Sequence, residues 1–489
     1  MKIFRLLVLF LIPAATCIPC RASEWSRAEI LFPQPAVDGL CEDLNGDGLK
    51  DFLFLCGNSI LVFFQTEVGF NNFPDDRIYY KKLGEYIDVG EVDVDRPGLE
   101  ILGLSRDGIR CFYLSDSGYQ SLSGFLISTS VRLPEYGAGP AISNFTADIN
   151  GDGLDEIFLM VENNLVFYGK NEKGDYQSFP ITNQTGLKTV SLRSRRWPSG
   201  IPFKETSSGN ILIRPFLSDR KFVLLQDLNN DNKWDITGDG ILFQGTNFRF
   251  TDSEKEKRAF LLTEGEKHRF FLDVDGNGKK ETVDIISKDI LSENINIFPF
   301  VKIFVHLEKE NVSSAPDFFF KTIFLGGLSP FGDLDGDGDL DFISLWSDVT
   351  PGSKEDIIQI FVENTFEFTL RVYLYKKEGY TLSPDMTIQA KVKVRELAEA
   401  METTPLGFFG DYDGNGNMDL LLRKEPESVL IYFLDWSRKK TISSVDRLQV
   451  PKETKTITAA DLNGDGKSDL ICWADDRLVL LFPSEEKSK

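Results

Sequence analysis

The sequence predicts an all-β fold, a β-propeller of seven or eight blades, and three observations predict it. A nine-residue acidic motif returns along the chain at intervals of 46 to 79 residues, one supersecondary unit apart. Short runs of β-type residues follow the motifs in pairs, and helical periodicity is nearly absent, Val394 to Met401 being the one helical candidate. A part-unit stands at each end of the mature chain, and the two together make one whole unit.

The chain begins with Lys2 and Arg5, then an apolar run from Leu6 to Ile12 that continues to Ala15, then Cys20-Arg21-Ala22. That order of basic, apolar and small residues predicts a signal peptide over residues 1–22, cleaved after Ala22. The apolar stretch is too short to span a bilayer and Pro13 interrupts it. Thr16 before Cys17 and Pro19 before Cys20 are poor neighbours for a lipid-modified cysteine. The expectation is an exported protein, secreted, periplasmic or at the cell surface, with no integral membrane segment after cleavage and with residues 23–489 as one domain.

The motif is first met as Asp43-Leu44-Asn45-Gly46-Asp47-Gly48-Leu49-Lys50-Asp51. It returns at 148–156, with Asp148, Asn150, Asp152, Leu154 and Glu156 at positions 1, 3, 5, 7 and 9, and at 227–235, with Asp227, Asn229, Asp231, Lys233 and Asp235. At 273–281 those positions are Asp273, Asp275, Asn277, Lys279 and Glu281, and at 333–341 they are Asp333, Asp335, Asp337, Asp339 and Asp341. The last two copies carry Asp411, Asp413, Asn415, Asn417 and Asp419, then Asp461, Asn463, Asp465, Lys467 and Asp469. An eighth copy, from Asp93 to Glu100, is one residue short.

Strand-like runs follow the full copies, as in Phe52 to Leu55, Ile157 to Val161, Phe342 to Trp346 and Leu470 to Trp473. A second run often comes after a polar turn, as in Ile60 to Phe64, Ile109 to Tyr113, Leu165 to Tyr168, Val429 to Phe433 and Leu478 to Phe482. From Asp461 onward 29 residues remain, room for about two strands, and 20 mature residues precede Asp43, room for about one. The two ends therefore share a blade, and strands from both termini close the ring. Counting every motif gives eight blades; seven follows if the short copy, or the close pair at 227 and 273, belongs to one blade.

Charge and composition narrow the chemistry. With 54 Lys+Arg against 76 Asp+Glu the formal net charge is −22, which argues against nucleic acid or an anionic membrane surface as partner. Only two histidines exist, so a His-cluster metalloenzyme or a His-dependent triad is disfavoured. A hard cation such as Ca²⁺ takes six to eight oxygens, which the side chains at positions 1, 3, 5 and 9 and the carbonyl at position 7 can supply. Sulfur and imidazole are missing, which disfavours zinc and copper. EF-hand loops share the first half of the pattern but need an acid at position 12, where only one of the seven copies has it; position 9 is acidic in all seven.

These loops resemble the calcium loops of the FG-GAP/VCBS repeat family, the blades of integrin-α-type propellers and of many secreted bacterial repeat proteins. The resemblance covers nearly the whole mature chain, and Pro330-Phe331-Gly332 and Phe408-Phe409-Gly410 before two loops match the Phe-Gly element. The short copy at Asp93 departs from the pattern, so ligation carries over to the seven full loops only. The resemblance implies several structural Ca²⁺ ions. At about 2 mM calcium and dissociation constants of roughly 0.1–1 mM, each occupied site would add about 0.6–1.8 kcal/mol.

The expected function is that of a calcium-stabilised, non-enzymatic adhesion or binding scaffold for a protein or glycan. The alternatives are a secreted hydrolase or lyase on a propeller, and a component of an exported surface complex. The insertion from Lys170 to Pro215, with Arg193, Arg195, Arg196 and Trp197, is a candidate recognition segment or a solvated extra hairpin. Trp346, Trp436 and Trp473 follow strand runs and are expected in the core rather than stacked on sugars. Asn144, Asn183 and Asn311 begin glycosylation sequons. Cys41, Cys56, Cys111 and Cys472 remain after cleavage, and a disulfide between the two ends of the chain is conceivable.

Overall fold

The computed structural model describes residues 25–484 except 80–83, 94–97, 132, 134–140, 144, 162–163, 172, 181–210, 218–220, 227–234, 238–240, 245–249, 252–266, 288–299, 308–314, 324–330, 347–364, 378, 394–405, 426 and 438–440. The helical candidate at 394–401, the asparagines of the three sequons and most of the basic insertion lie outside the described residues. Among the described residues every regular element is a β-strand, and no helix is long and apolar enough to cross a membrane.

Strands gather into small sheets in chain order. The first is Ala36–Glu42, Asp51–Cys56, Ser59–Phe63 and Asp76–Tyr79, each antiparallel to the next. Seven further sheets of four to six strands follow, and a two-stranded ribbon joins Gln65–Thr66 to Gly69–Phe70. The short copy falls between Tyr86–Gly90 and Glu100–Ser105 of its own sheet, and Asp235 and the motif at 273 belong to separate sheets. The final sheet is built from both ends of the chain: Trp25–Leu31 pairs antiparallel with Arg477–Pro483, placing Trp25 opposite Pro483.

In the first sheet the second strand is apolar on both faces, a pattern for a strand covered on both sides. Phe52, Leu53, Phe54 and Leu55 are all fully buried. Their two faces enter different apolar clusters: Phe52 and Phe54 pack with Ile471, Trp473 and Leu478 of the last sheet, Leu53 and Leu55 with Ile87, Val89 and Ile101 of the next. The same sharing joins the second sheet to the third through Leu102, Ile109, Phe145 and Ile157. It joins the sheets at 267–323 and 331–393 through Val283, Ile303 and Phe342, the latter to the sheet at 406–449 through Leu370 and Leu420, and that one to the last through Ile431 and Leu470. Among the described residues the apolar core is thus a set of sandwiches between neighbouring sheets, the last against the first among them.

Buried acids also clasp neighbouring sheets. Asp88, 1 % exposed, accepts the main-chain N–H groups of Phe145 at 2.7 Å and Thr146 at 3.0 Å and the Thr146 hydroxyl at 2.9 Å. The four cysteines are buried as thiols and no disulfide forms between the chain ends. Cys41 and Cys56 share one apolar cluster, while Cys111 and Cys472 lie in two others. Burial pushes the Cys56 and Cys472 thiols up to about 12, which keeps them from acting as thiolates. Trp473 is in the core as expected. Trp436 is half-buried, its indole N–H donating to the Leu334 carbonyl at 3.0 Å, and Trp346 sits beneath Lys321 and Arg371 at 5.2 and 5.6 Å from its ring centre.

Candidate metal loops

Six of the seven full motifs are described; of the copy at 227–235 only Asp235 is, opening the strand Asp235–Thr237. Each of the six joins one strand to the next within its sheet and repeats one burial pattern: position 2 buried, position 4 to 6 exposed or nearly so, position 9 buried. In the loop at 43, Asp43 Oδ1 accepts the N–H groups of Gly46 at 2.7 Å and Asp47 at 3.1 Å, and its Oδ2 accepts that of Gly48 at 2.8 Å. Position 1 therefore gathers the amides of the turn. Gly46 and Gly48, at φ 77° and 89°, take the left-handed conformations that fold the chain back round that carboxylate. Asp333, Asp411 and Asp461 repeat the arrangement.

Positions 3 and 5 brace the far side. Asn45 Oδ1 accepts the Asp47 N–H at 3.0 Å and Asp47 Oδ1 the Leu49 N–H at 2.8 Å. Position 9 closes the loop from beneath. Asp341 Oδ2 accepts the Leu334 N–H at 2.9 Å and its Oδ1 the Tyr375 N–H at 2.8 Å, so one carboxylate ties its own loop to the end of a strand 34 residues on. Asp51 and Asp419 do the same with Gln65 and Leu434. Burial, opposed by those amide hydrogen bonds and aided by the acids at positions 1, 3 and 5, pushes position 9 far above the usual carboxylate range. Asp51, Glu281, Asp341 and Asp469 reach about 7, and Glu156 and Asp419 about 8.

The short copy keeps this closure. Glu100, 1 % exposed, accepts the Val92 N–H at 2.9 Å and is raised to about 7, chiefly by burial. Lys170, on the strand Asn164–Lys170, lies 3.8 Å from Asp93.

Where position 3 is Asp, three carboxylates converge. Oxygens of Asp273, Asp275 and Glu281 lie within 4.8 Å of one another, as do those of Asp333, Asp335 and Asp341 and those of Asp411, Asp413 and Asp419. Oxygens that close can share one ion at the 2.3–2.6 Å of calcium ligation. Several are buried without a hydrogen-bond partner: Asp273 Oδ1, Glu281 Oε1, Asp335 Oδ1 and Asp469 Oδ1. Buried acceptors lacking donors are costly, and an oxygen-seeking cation is the group that satisfies them. The donor set thus fits a hard divalent ion. In the loops at 43, 148 and 461 position 3 is Asn, and its amide donates to the position 5 carboxylate, as from Asn150 to Asp152 at 3.0 Å.

Neighbouring loops also touch. The Leu99 N–H donates to the Leu44 carbonyl at 3.0 Å, that of Leu340 to Val274 at 2.8 Å, that of Met418 to Leu334 at 2.9 Å and that of Ser468 to Asp411 at 2.7 Å. In these four pairs, the residue just before the closing acid of one loop is hydrogen-bonded to position 1 or 2 of the preceding loop, so the two loops of each pair lie side by side.

Residues 411–472, which span two of these loops and the sheet between them, match the FG-GAP-like repeat. The chain therefore carries at least one repeat of that class, within an all-β fold of several small sheets. No curated protein matches the sequence. Among solved structures, the chain is similar to the crystal structure of the V. cholerae biofilm matrix protein Bap1, with a TM-score of 0.39 and 12 % identity over 94 % of this chain and 88 % of that one. That similarity is too slight to bear on fold or function.

Proposed function

We propose that this protein is an exported, calcium-stabilised β-propeller of eight blades that serves as a non-enzymatic binding scaffold for a protein or glycan. Eight sheets in chain order, and the packing of the last against the first, support the closed ring. The observation that carries the calcium reading is the set of buried, unpartnered carboxylate oxygens inside the loops at 273, 333 and 461. Positions 1, 3, 5 and 9 would hold the ion with the position 7 carbonyl, and by analogy of sequence the reading extends to all seven full loops. When bound, calcium supplies positive charge to carboxylates that otherwise repel one another, which stiffens the turn.

The perturbed acids also favour a scaffold over an enzyme. Glu156 and Asp419 are the groups a search for a general acid would select, yet each lies beneath a loop with its oxygens facing main-chain amides or Asn150. Their raised pKa values follow from loop closure. The test is scanning calorimetry of the chelator-stripped chain with and without calcium. A melting temperature that rises substantially with calcium supports the proposal; traces that superimpose defeat it.

A further inference from the structure

We propose that the loops at 273–281 and 333–341 are a coupled pair of cation sites, and that Asp339 couples them by lending its carboxylate to the ion of the neighbouring loop. The inference rests on the calcium reading and extends it.

Position 7 needs only its carbonyl for ligation, and in the other described loops it is Leu49, Leu154, Lys279, Asn417 or Lys467. Asp339 is the one acid at that position, and its side chain reaches toward the preceding loop. A Cβ built on Gly276 would lie 2.7 Å from Asp339 Oδ1 and 2.9 Å from the Gly338 carbonyl, so the approach depends on glycine at position 4 of loop 273. The main chains are joined at the same place, through the Leu340 N–H and the Val274 carbonyl at 2.8 Å.

The receiving loop needs the extra oxygen most. In loop 333 the position 1 Oδ1 accepts the Gly336 and Asp337 N–H groups at 2.8 and 3.2 Å. In loop 273 the equivalent Asp273 Oδ1 is buried with no partner, and so is Oε1 of Glu281, which is 1 % exposed and converges with Asp273 and Asp275. Two buried oxygens of one loop therefore await a cation. Loop 273 brings three ligand carboxylates and loop 333 brings four before Asp339 is counted. An ion in loop 333 would fix residue 339 through its carbonyl, and with it the Leu340 amide that holds Val274. Loop 273 would then bind its ion with less ordering to do, and a carboxylate between two divalent ions offsets their repulsion.

Calcium titration calorimetry on the chelator-stripped full chain tests this in a double-mutant cycle of Asp339→Asn and Asp275→Asn. Asp339→Asn is expected to keep the number of bound ions and weaken part of the titration by about five- to tenfold. Asp275→Asn is expected to remove one ion, and adding Asp339→Asn to it should then change little. Asp339→Glu, which restores the charge, should recover much of the lost affinity. An Asp339→Asn protein that titrates like wild type overturns the coupling, as does an equal penalty in both backgrounds. A wild-type chain that binds no calcium overturns the calcium reading itself, a result visible before any substitution is made.

Discussion

Leu434 donates its main-chain N–H to Asp419 Oδ1 at 2.8 Å, while the other oxygen of that carboxylate accepts the Tyr412 N–H at 2.8 Å. One acid that is fully buried thus closes the loop at 411 and anchors the end of the strand Ser428–Leu434.

Replacing Asp419 by Asn turns one acceptor into a donor facing a main-chain N–H. The expected cost is about 1–3 kcal/mol even without calcium, read by urea unfolding. Glu100→Gln is the contrasting case, because its carboxylate holds the Val92 N–H within the short copy, which carries no expected ion. It should be nearly neutral near pH 8 and leave calcium binding unchanged. Equal costs at the two positions would contradict this division of roles.

The raised acids give the calcium-free protein a pH dependence of known sign. Asp51, Glu100, Glu281, Asp341 and Asp469 at about 7, and Glu156 and Asp419 at about 8, hold protons in the folded chain that the unfolded chain releases near pH 4. Their contribution is fully present below about pH 4 and is lost as pH rises through about 7 to 8. Melting temperatures in chelator should therefore fall between pH 5 and pH 8.5. Saturating calcium, which competes with those protons at each of these acids except Glu100, should shrink the fall.

Gly336 and Gly338 separate conformational strain from contact. Both have positive φ, 75° and 93°, but an added Cβ at Gly338 meets nothing within 4 Å, whereas at Gly336 it lies 2.3 Å from the Gly416 carbonyl. Gly338→Ala should cost about 1 kcal/mol. Gly336→Ala should cost clearly more, because it also pushes the loop at 411 away. Paired denaturation curves give the difference.

Phe54 joins the first sheet to the last. Its ring lies 4.6 Å from that of Phe32 and 5.7 Å from that of Trp473, centre to centre. Phe54→Ala is expected to destabilise by about 3–5 kcal/mol, measured by equilibrium unfolding at saturating calcium. A loss below 1 kcal/mol would mean that the two sheets do not depend on one another.

Much of this architecture is legible in the residues themselves. The run Phe52 to Leu55 after an invariant acid marks a strand buried on both faces, and the observed strand is Asp51–Cys56. The alternation of Asp or Asn with Gly marks the turns, since only such residues fold a chain that tightly with oxygens inward. Spacing does not reveal which way an acid faces. Position 9 reads as a ligand in sequence, and the structure adds that it accepts main-chain N–H groups as remote as 34 residues away, as Asp341 does from Tyr375. The clasp from Asp88 to Thr146 crosses 58 residues and has no local signature. The reach of Asp339 toward Gly276 is likewise hidden, because 63 positions of chain separate two residues that meet only when consecutive sheets pack. Trp436, which follows a strand run, packs against a core cluster but stays half-buried, its indole N–H donating to the Leu334 carbonyl.

The pairing of Trp25 with Pro483 orders events during biosynthesis. Among the described strands, the first in the chain pairs with the last. Until that partner is made, Trp25–Leu31 travels with bare amides and carbonyls, an adhesive ribbon that a second copy could seize. The sheet is complete only once residues 477–483 have been made, so factors that shield the extended segment Trp25–Leu31 should raise the yield of monomeric protein.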